Sequence, residues 1–166
     1  YAVPGLILAV GMVQLLVYID ALVLSGLDIV VTGSLIGLVL AYVIKTYALA
    51  NSSIESGYER VSSSLDDSSK LLGSSGWSML SSIHVPLLKT SILTSVLLVM
   101  SDVVKELPAT LILRPFNFET LAVSTYIYAS EERMLQAAAP AIAIVLIGLI
   151  PIVFLSKMIR SSRPTH

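Results

Sequence analysis

An all-α fold with about four membrane-crossing helices is what the sequence predicts, on three observations. Only 13% of the 166 residues are charged and 55% are hydrophobic, whereas a soluble domain carries about 25% charged residues. The mean hydropathy is +0.89. The apolar residues also gather in four runs, 4–24, 29–50, 88–107 and 137–156, each near the ~20 residues that cross a hydrocarbon core. The chain therefore reads as a polytopic membrane protein whose first partner is the lipid bilayer.

The first run ends near Asp20, and LSGLD at 24–28 supplies a glycine turn suited to a helix hairpin. In the second, Gly33 and Gly37 stand four apart with Ser34 beside them, a small face that lets another backbone approach. Residues 51–87 form the longest polar insertion and are rich in serine. Within it, Ser64 and Asp67 have the spacing of a capping box, and Gly73 suits the left-handed position that closes a helix. A second short helix is expected from Gly76 to Ile83, because Trp77, Leu80 and Ile83 recur at three-residue steps as one apolar stripe. Pro86 should break the chain before the third span, and Pro108 should end that span. Residues 109–136 are mixed in character, with a short amphipathic helix that places Leu121, Thr125 and Tyr128 on one side. The last run contains Pro140 and Pro151, a pattern that predicts a kinked helix satisfied by its neighbours.

Charge sets an expected orientation, since lysine and arginine accumulate on the cytoplasmic side. Lys45, Arg60, Lys70 and Lys89 flank the insertion, and Lys157, Arg160 and Arg163 lie in the tail, against Lys105, Arg114 and Arg133 elsewhere. Seven against three places the insertion and the C-terminus in the cytoplasm and residues 109–136 outside. A net charge of −1 gives no reason to expect nucleic acid as a partner. The absence of cysteine excludes disulfides and thiol chemistry. His84 and His166 stand alone, so no metal site is expected. The serines lack a convergent base, so no catalytic residue is expected either. No GxxxxGK[ST] phosphate-binding loop occurs. The chain opens on Tyr1 without the positive region of a signal peptide, and reads as a fragment beginning at or inside a membrane helix.

Two features carry competing readings. The stripe at Trp77, Leu80 and Ile83 fits an anchor at the lipid interface, where tryptophan is enriched, or a docking surface. Asp102, three and four residues before Lys105 and Glu106, faces both at helical spacing. Ionisable groups in a membrane segment are functional candidates because they are costly there. These three fit a gate or substrate pathway, an ion pair that fixes helix packing, or the relay of an ion-coupled secondary transporter.

The insertion resembles the EAA loop of ABC importer permeases, whose pattern is EAA, three residues, glycine, nine residues, isoleucine, one residue, leucine and proline. Asp67, Ser68 and Ser69 stand in the EAA places, Gly73 in that of the glycine, Ile83 in that of the isoleucine, then Val85 and Pro86. YAVPGLILAVGM at the start, KELPATLILRPFNFETLA at 105–122 and AAAPAIAIVLIGLIPIVFLS near the end are similar to the second half of ferric-iron type permeases. The resemblance implies an incomplete type I importer permease fold, multi-pass in a bacterial or archaeal inner membrane. It implies a transport subunit and not an enzyme, one that binds no cofactor itself. ATP and Mg are used by a cytoplasmic ABC ATPase dimer; the other partners are a second transmembrane half and an extracytoplasmic solute-binding protein. The solute is then ferric iron, although related permeases carry thiamine, sulfate, phosphonates or polyamines. Trp77, Leu80 and Ile83 become contacts to the ATPase, Asp67 a polar or capping contact, and Gly73 and Pro86 the geometry of the loop.

Overall fold

The computed structural model describes residues 4–22, 30–71, 73–74 and 76–161. Its helices are α1 (Gly5–Leu22), α2 (Leu35–Tyr58), α3 (Ser63–Leu71), α4 (Gly76–Met79), α5 (Val85–Val104), α6 (Pro108–Leu113), α7 (Leu121–Ser130) and α8 (Met134–Ser161). A π-helical turn, Leu80–His84, joins α4 to α5 without interruption, so Gly76–Val104 is one rod of 29 residues. That rod, α1, α2 and the Met134–Lys157 part of α8 are each long and apolar enough to cross a membrane. No strand occurs among the described residues, and the connector at 24–28 lies outside them.

The core forms where α1, α2 and α6 meet. Ala9, Met12 and Leu16 recur at steps of three and four along one face of α1. They pack with Leu38 and Ala41 of α2 and with Ala109 and Leu113 of α6, while Phe118 lies against the same cluster. The Asp20 carboxylate near the end of α1 accepts the amides of Val31 (2.8 Å) and Thr32 (2.9 Å), tying α1 to the chain that enters α2. Tyr42 on α2 meets the Thr110 hydroxyl of α6 at 2.6 Å. Helix α8 packs on α5 and α7.

Helices α2 and α5 run antiparallel and touch through small residues. Ser95 donates its hydroxyl to the Ala50 carbonyl (3.3 Å) and Ser53 donates to the Ser91 carbonyl (3.4 Å). One turn after Ser53, a methyl placed on Gly57 would lie 2.6 Å from the Ser91 side-chain carbon. The close-packing pair of α2 is therefore Ser53 with Gly57, and not Gly33 with Gly37. Gly33 sits in the turn before the helix at φ +70, with open space around it, and Ser34 caps α2 by accepting the Gly37 amide. Gly37 alone packs, against Leu16.

The helices differ from the apolar runs at their ends. Helix α2 starts at Leu35 instead of 29, where Ser34 caps it, and continues to Tyr58 past the end of the run at 50. Hydropathy follows what lipid tolerates, and a helix can run on into water. The third rod ends at Val104, and Pro108 opens α6 at a first-turn position instead of closing α5; proline lacks only an amide that has no helical partner there. Pro86 does not break the chain. It occupies the first turn of α5, directly after the π turn, in which the Val85 amide reaches back to the Leu80 carbonyl. Wider i→i+5 bonding carries the helix past the residue that cannot donate. Helix α8 likewise runs through both Pro140 and Pro151. On α7 the buried residues are Ala122 and Val123, and Leu121, Thr125 and Tyr128 are more exposed. The small pair lies against a neighbour, and Arg133 lies 5.0 Å over the Tyr128 ring.

Candidate functional site

The serine-rich stretch folds as a compact protrusion between α2 and the third rod. Helix α3 begins two residues earlier than its Ser64 and Asp67 signal suggests. The Ser64 amide donates to Ser62 Oγ (3.3 Å), which also meets Ser64 Oγ (2.7 Å). Ser62 therefore takes the capping role and Ser64 lies inside the helix, because with several serines in a row spacing alone cannot choose among them. Asp67 instead forms an exposed pair with Lys70 (3.8 Å). At the other end the reading of Gly73 agrees with the structure. Its φ is +82, its amide donates to the Lys70 carbonyl and the Ser74 amide donates to the Ser69 carbonyl, both at 3.0 Å. That pair of bonds is the glycine-dependent helix stop in which the left-handed residue turns the chain away.

The residues in the EAA places divide by face. Asp67 and Ser68 are exposed, whereas Ser69 is buried, its hydroxyl shared between the Asp66 carbonyl and Met79 Sδ, each at 2.9 Å. A small side chain at Ser69 lets α3 lie directly on α4. The stripe on the following rod is outward-facing: Trp77 is 79% exposed, Leu80 is exposed and Ile83 is half-buried. Leu71, at the end of α3, is 89% exposed. The rest of the described chain leaves Trp77, Leu80 and Leu71 uncovered.

His84 is the residue that the sequence undervalued. It is 4% exposed, its ring stacks on Tyr58 at 5.4 Å between centroids, and Nε2 lies 3.3 Å from Asp66 Oδ1. The contact is within ion-pair reach when the imidazole is protonated, without the alignment of a hydrogen bond. Its only sequence signal is its phase, to one side of the Trp77 stripe.

At the far end of the rod, the three ionisable residues separate into two pairs. Asp102 is buried and pairs with Lys105 at 3.5 Å. Glu106 is 6% exposed and pairs with Lys45 of α2; its other oxygen accepts the Ala109 amide at 3.2 Å, at the start of α6. Helical spacing would have put Glu106 beside Asp102, but α5 ends at Val104, so the chain turns Glu106 toward α2. Lys45 is thus a missed member of the group. It does not flank the polar loop as its place in the charge count supposed: it lies about 18 Å along α2 from Gly57. Counted with the group it joins, it leaves six basic residues on the loop and tail side against four.

Beyond α6 the chain makes a tight turn. The Phe118 amide donates to the Pro115 carbonyl (3.2 Å), and Asn117 has φ 58, as the third position of such a turn favours. Arg114 closes it by donating to the Phe118 carbonyl (3.1 Å) and pairing with Glu119 (3.6 Å). Phe118 reaches the core, and Phe116 at the apex is 99% exposed. Among the described residues, no three His, Asp or Glu side chains converge as a metal site would require.

The chain is 24% identical over 157 residues to the Fe(3+)-transport system permease protein FbpB 2 of Haemophilus influenzae, covering 95% of this chain but 29% of that relative. It thus spans under a third of the relative's length. The model of the family described as "Binding-protein-dependent transport system inner membrane component" matches residues 1–162. Four apolar helices, a capped loop between two of them and a match over nearly the whole chain lead to one conclusion: this chain belongs to the binding-protein-dependent transport system inner membrane components.

Proposed function

We propose that the chain is part of the permease of an ABC importer for ferric iron, and that the α3–α4 protrusion is where a cytoplasmic ATPase dimer docks. The observation that carries the docking is Trp77: a nearly fully exposed indole on a helix continuous with a membrane span. Leu71 adds a second exposed apolar group, and the stop at Gly73 turns the chain out of α3. A partner that buries such anchors gains affinity from them. One that moves them moves a membrane helix. ATP and Mg then belong to the partner, which drives alternating access. A second transmembrane half and an extracytoplasmic binding protein complete the system, with the loop and the C-terminus cytoplasmic.

The solute is supported by the named relative and by KELPATLILRPFNFETLA at 105–122. At the end of the span, the pair of buried Asp102 with exposed Lys105 fits a gate. Glu106 with Lys45 fits a packing role.

The test uses the complete transporter. Trp77→Glu and Leu71→Glu change exposed side chains and should leave the permease folded. Retention of the ATPase on purification is expected to fall at least about tenfold, the scale of losing one buried anchor, with loss of ATP-dependent ferric-iron uptake. Undiminished ATPase retention in both variants would overturn the docking assignment. Uptake driven by protons or sodium without ATP would favour an ion-coupled carrier.

A further inference from the structure

We infer that His84 is a positioning residue that clamps the docking helix α3 to both membrane helices flanking the loop, so that α3 cannot move without them; this rests on the coupling role proposed above. Three elements meet at one imidazole. Tyr58, which stacks on it, is the last residue of α2; Asp66, at 3.3 Å, lies on the inner face of α3; and His84 itself ends the π turn that leads into α5.

Exposed anchors such as Trp77 give a partner something to grip, but grip alone transmits no displacement. Helix α4 is rigid with α5 because the backbone runs through the π turn unbroken. Helix α3 has no such continuity. Its chain enters from α2 through residues 59–62 and leaves through the turn at Gly73. The contacts that bridge it laterally are Asp66 with His84 and, one turn on, Ser69 with Met79. The His84 side chain is 5% exposed and that of Asp66 24%. Separating them in so enclosed a place exposes or strands polar groups that water cannot easily reach. Among the described residues neither Nδ1 nor the facing Asp66 Oδ1 has a hydrogen-bond partner, so the enclosed polar contact of this ring is the one between Nε2 and Asp66.

These 166 residues contain no cysteine, so once any cysteine elsewhere in the transporter is replaced, two engineered cysteines at the exposed Ser52 of α2 and Ser68 of α3 can carry spin labels. They are measured in the full transporter with its ATPase, in lipid, with and without ATP. In the unaltered permease the inter-label distance is expected to stay narrow and the same in both conditions. His84→Phe keeps the stacked ring and removes the polar contact with Asp66. With the ATPase still bound and hydrolysing ATP, its distance distribution is expected to broaden and to shift with nucleotide. Ferric iron moved per ATP should fall at least about fivefold, the low end of coupling between two sites. A His84→Phe transporter with an unchanged distance distribution overturns the clamp. If that variant does not assemble, Tyr58→Leu removes the stacking side of the same contact, with the same expected broadening, and an unchanged distribution there also overturns it. Failure of the docking reading looks different: the ATPase stays bound when Trp77 and Leu71 carry glutamate.

Discussion

Gly57 and Lys45 show how much rests on single side chains here. A methyl on Gly57 has nowhere to go but into Ser91, so Gly57→Ala should force α2 and α5 apart at an overpacking cost of about 1–3 kcal/mol. Thermal melting of the detergent-solubilised permease should show it as a lowered midpoint, partly restored by Ser91→Gly. Gly11→Ala, in open space, should leave the midpoint unchanged or slightly raised. Lys45→Met strands the buried Glu106 carboxylate, an event that costs about 3–5 kcal/mol in an interior. The double change Lys45→Met with Glu106→Gln should be milder than Lys45→Met alone, read by the same melting curves. If the double variant melts lower than the single, the pair is not what holds α2 to the α6 start. Neither residue stood out in the sequence. Glycine in an apolar run is common, and a lysine declares its partner only once the turn after Val104 brings Glu106 across.

At the scale of helices, the sequence revealed existence better than extent. Four apolar runs matched four long helices, and the Gly73 stop was legible because left-handed backbone has so few tenants. The cap was assigned to the wrong serine, the small-residue contact to the wrong end of α2, and a break was expected at Pro86. That last error has a physical lesson: proline forbids an i→i+4 bond, and a π turn satisfies the same backbone by skipping a residue. One inserted residue also rotates what precedes it by about 100° around the helix axis. Pro86→Ala removes the obstacle to regular α bonding. The rod should then lose its bulge, turning Trp77 and His84 away from their present faces. ATP-dependent uptake should drop severalfold while the far-ultraviolet circular dichroism of the permease stays the same. Normal uptake by Pro86→Ala would mean that the phase set by the turn is unimportant.

Across the whole molecule, much apolar surface has no covering within this chain. Only 6% of the most apolar window of α8 is buried, and one side of α1 presents Leu6, Ile7 and Val10 outward. That surface suits lipid and the remainder of a permease whose relative is several times longer. Such faces are legible as apolar from the sequence, whereas their partners are not, because lipid and another helix ask for similar residues. Orientation can be measured directly once any cysteine outside these 166 residues is replaced, since they contain none. A cysteine at Ser68 should react with a membrane-impermeant maleimide only from the cytoplasmic side, and one at Asn117 only from outside. The reverse pattern would place the protrusion away from any cytoplasmic ATPase.

The meeting of Gly57 with Ser91 has one further mechanical consequence. It divides the helix that starts at Gly76 into nearly equal arms, about 21 Å from Trp77 to Ser91 and about 20 Å onward to Val104. A stiff beam resting on a fulcrum at its middle trades no amplitude for force. A sideways push at the indole would therefore have to tilt the Asp102 end the opposite way, against the Ser95–Ala50 contact just beyond the pivot.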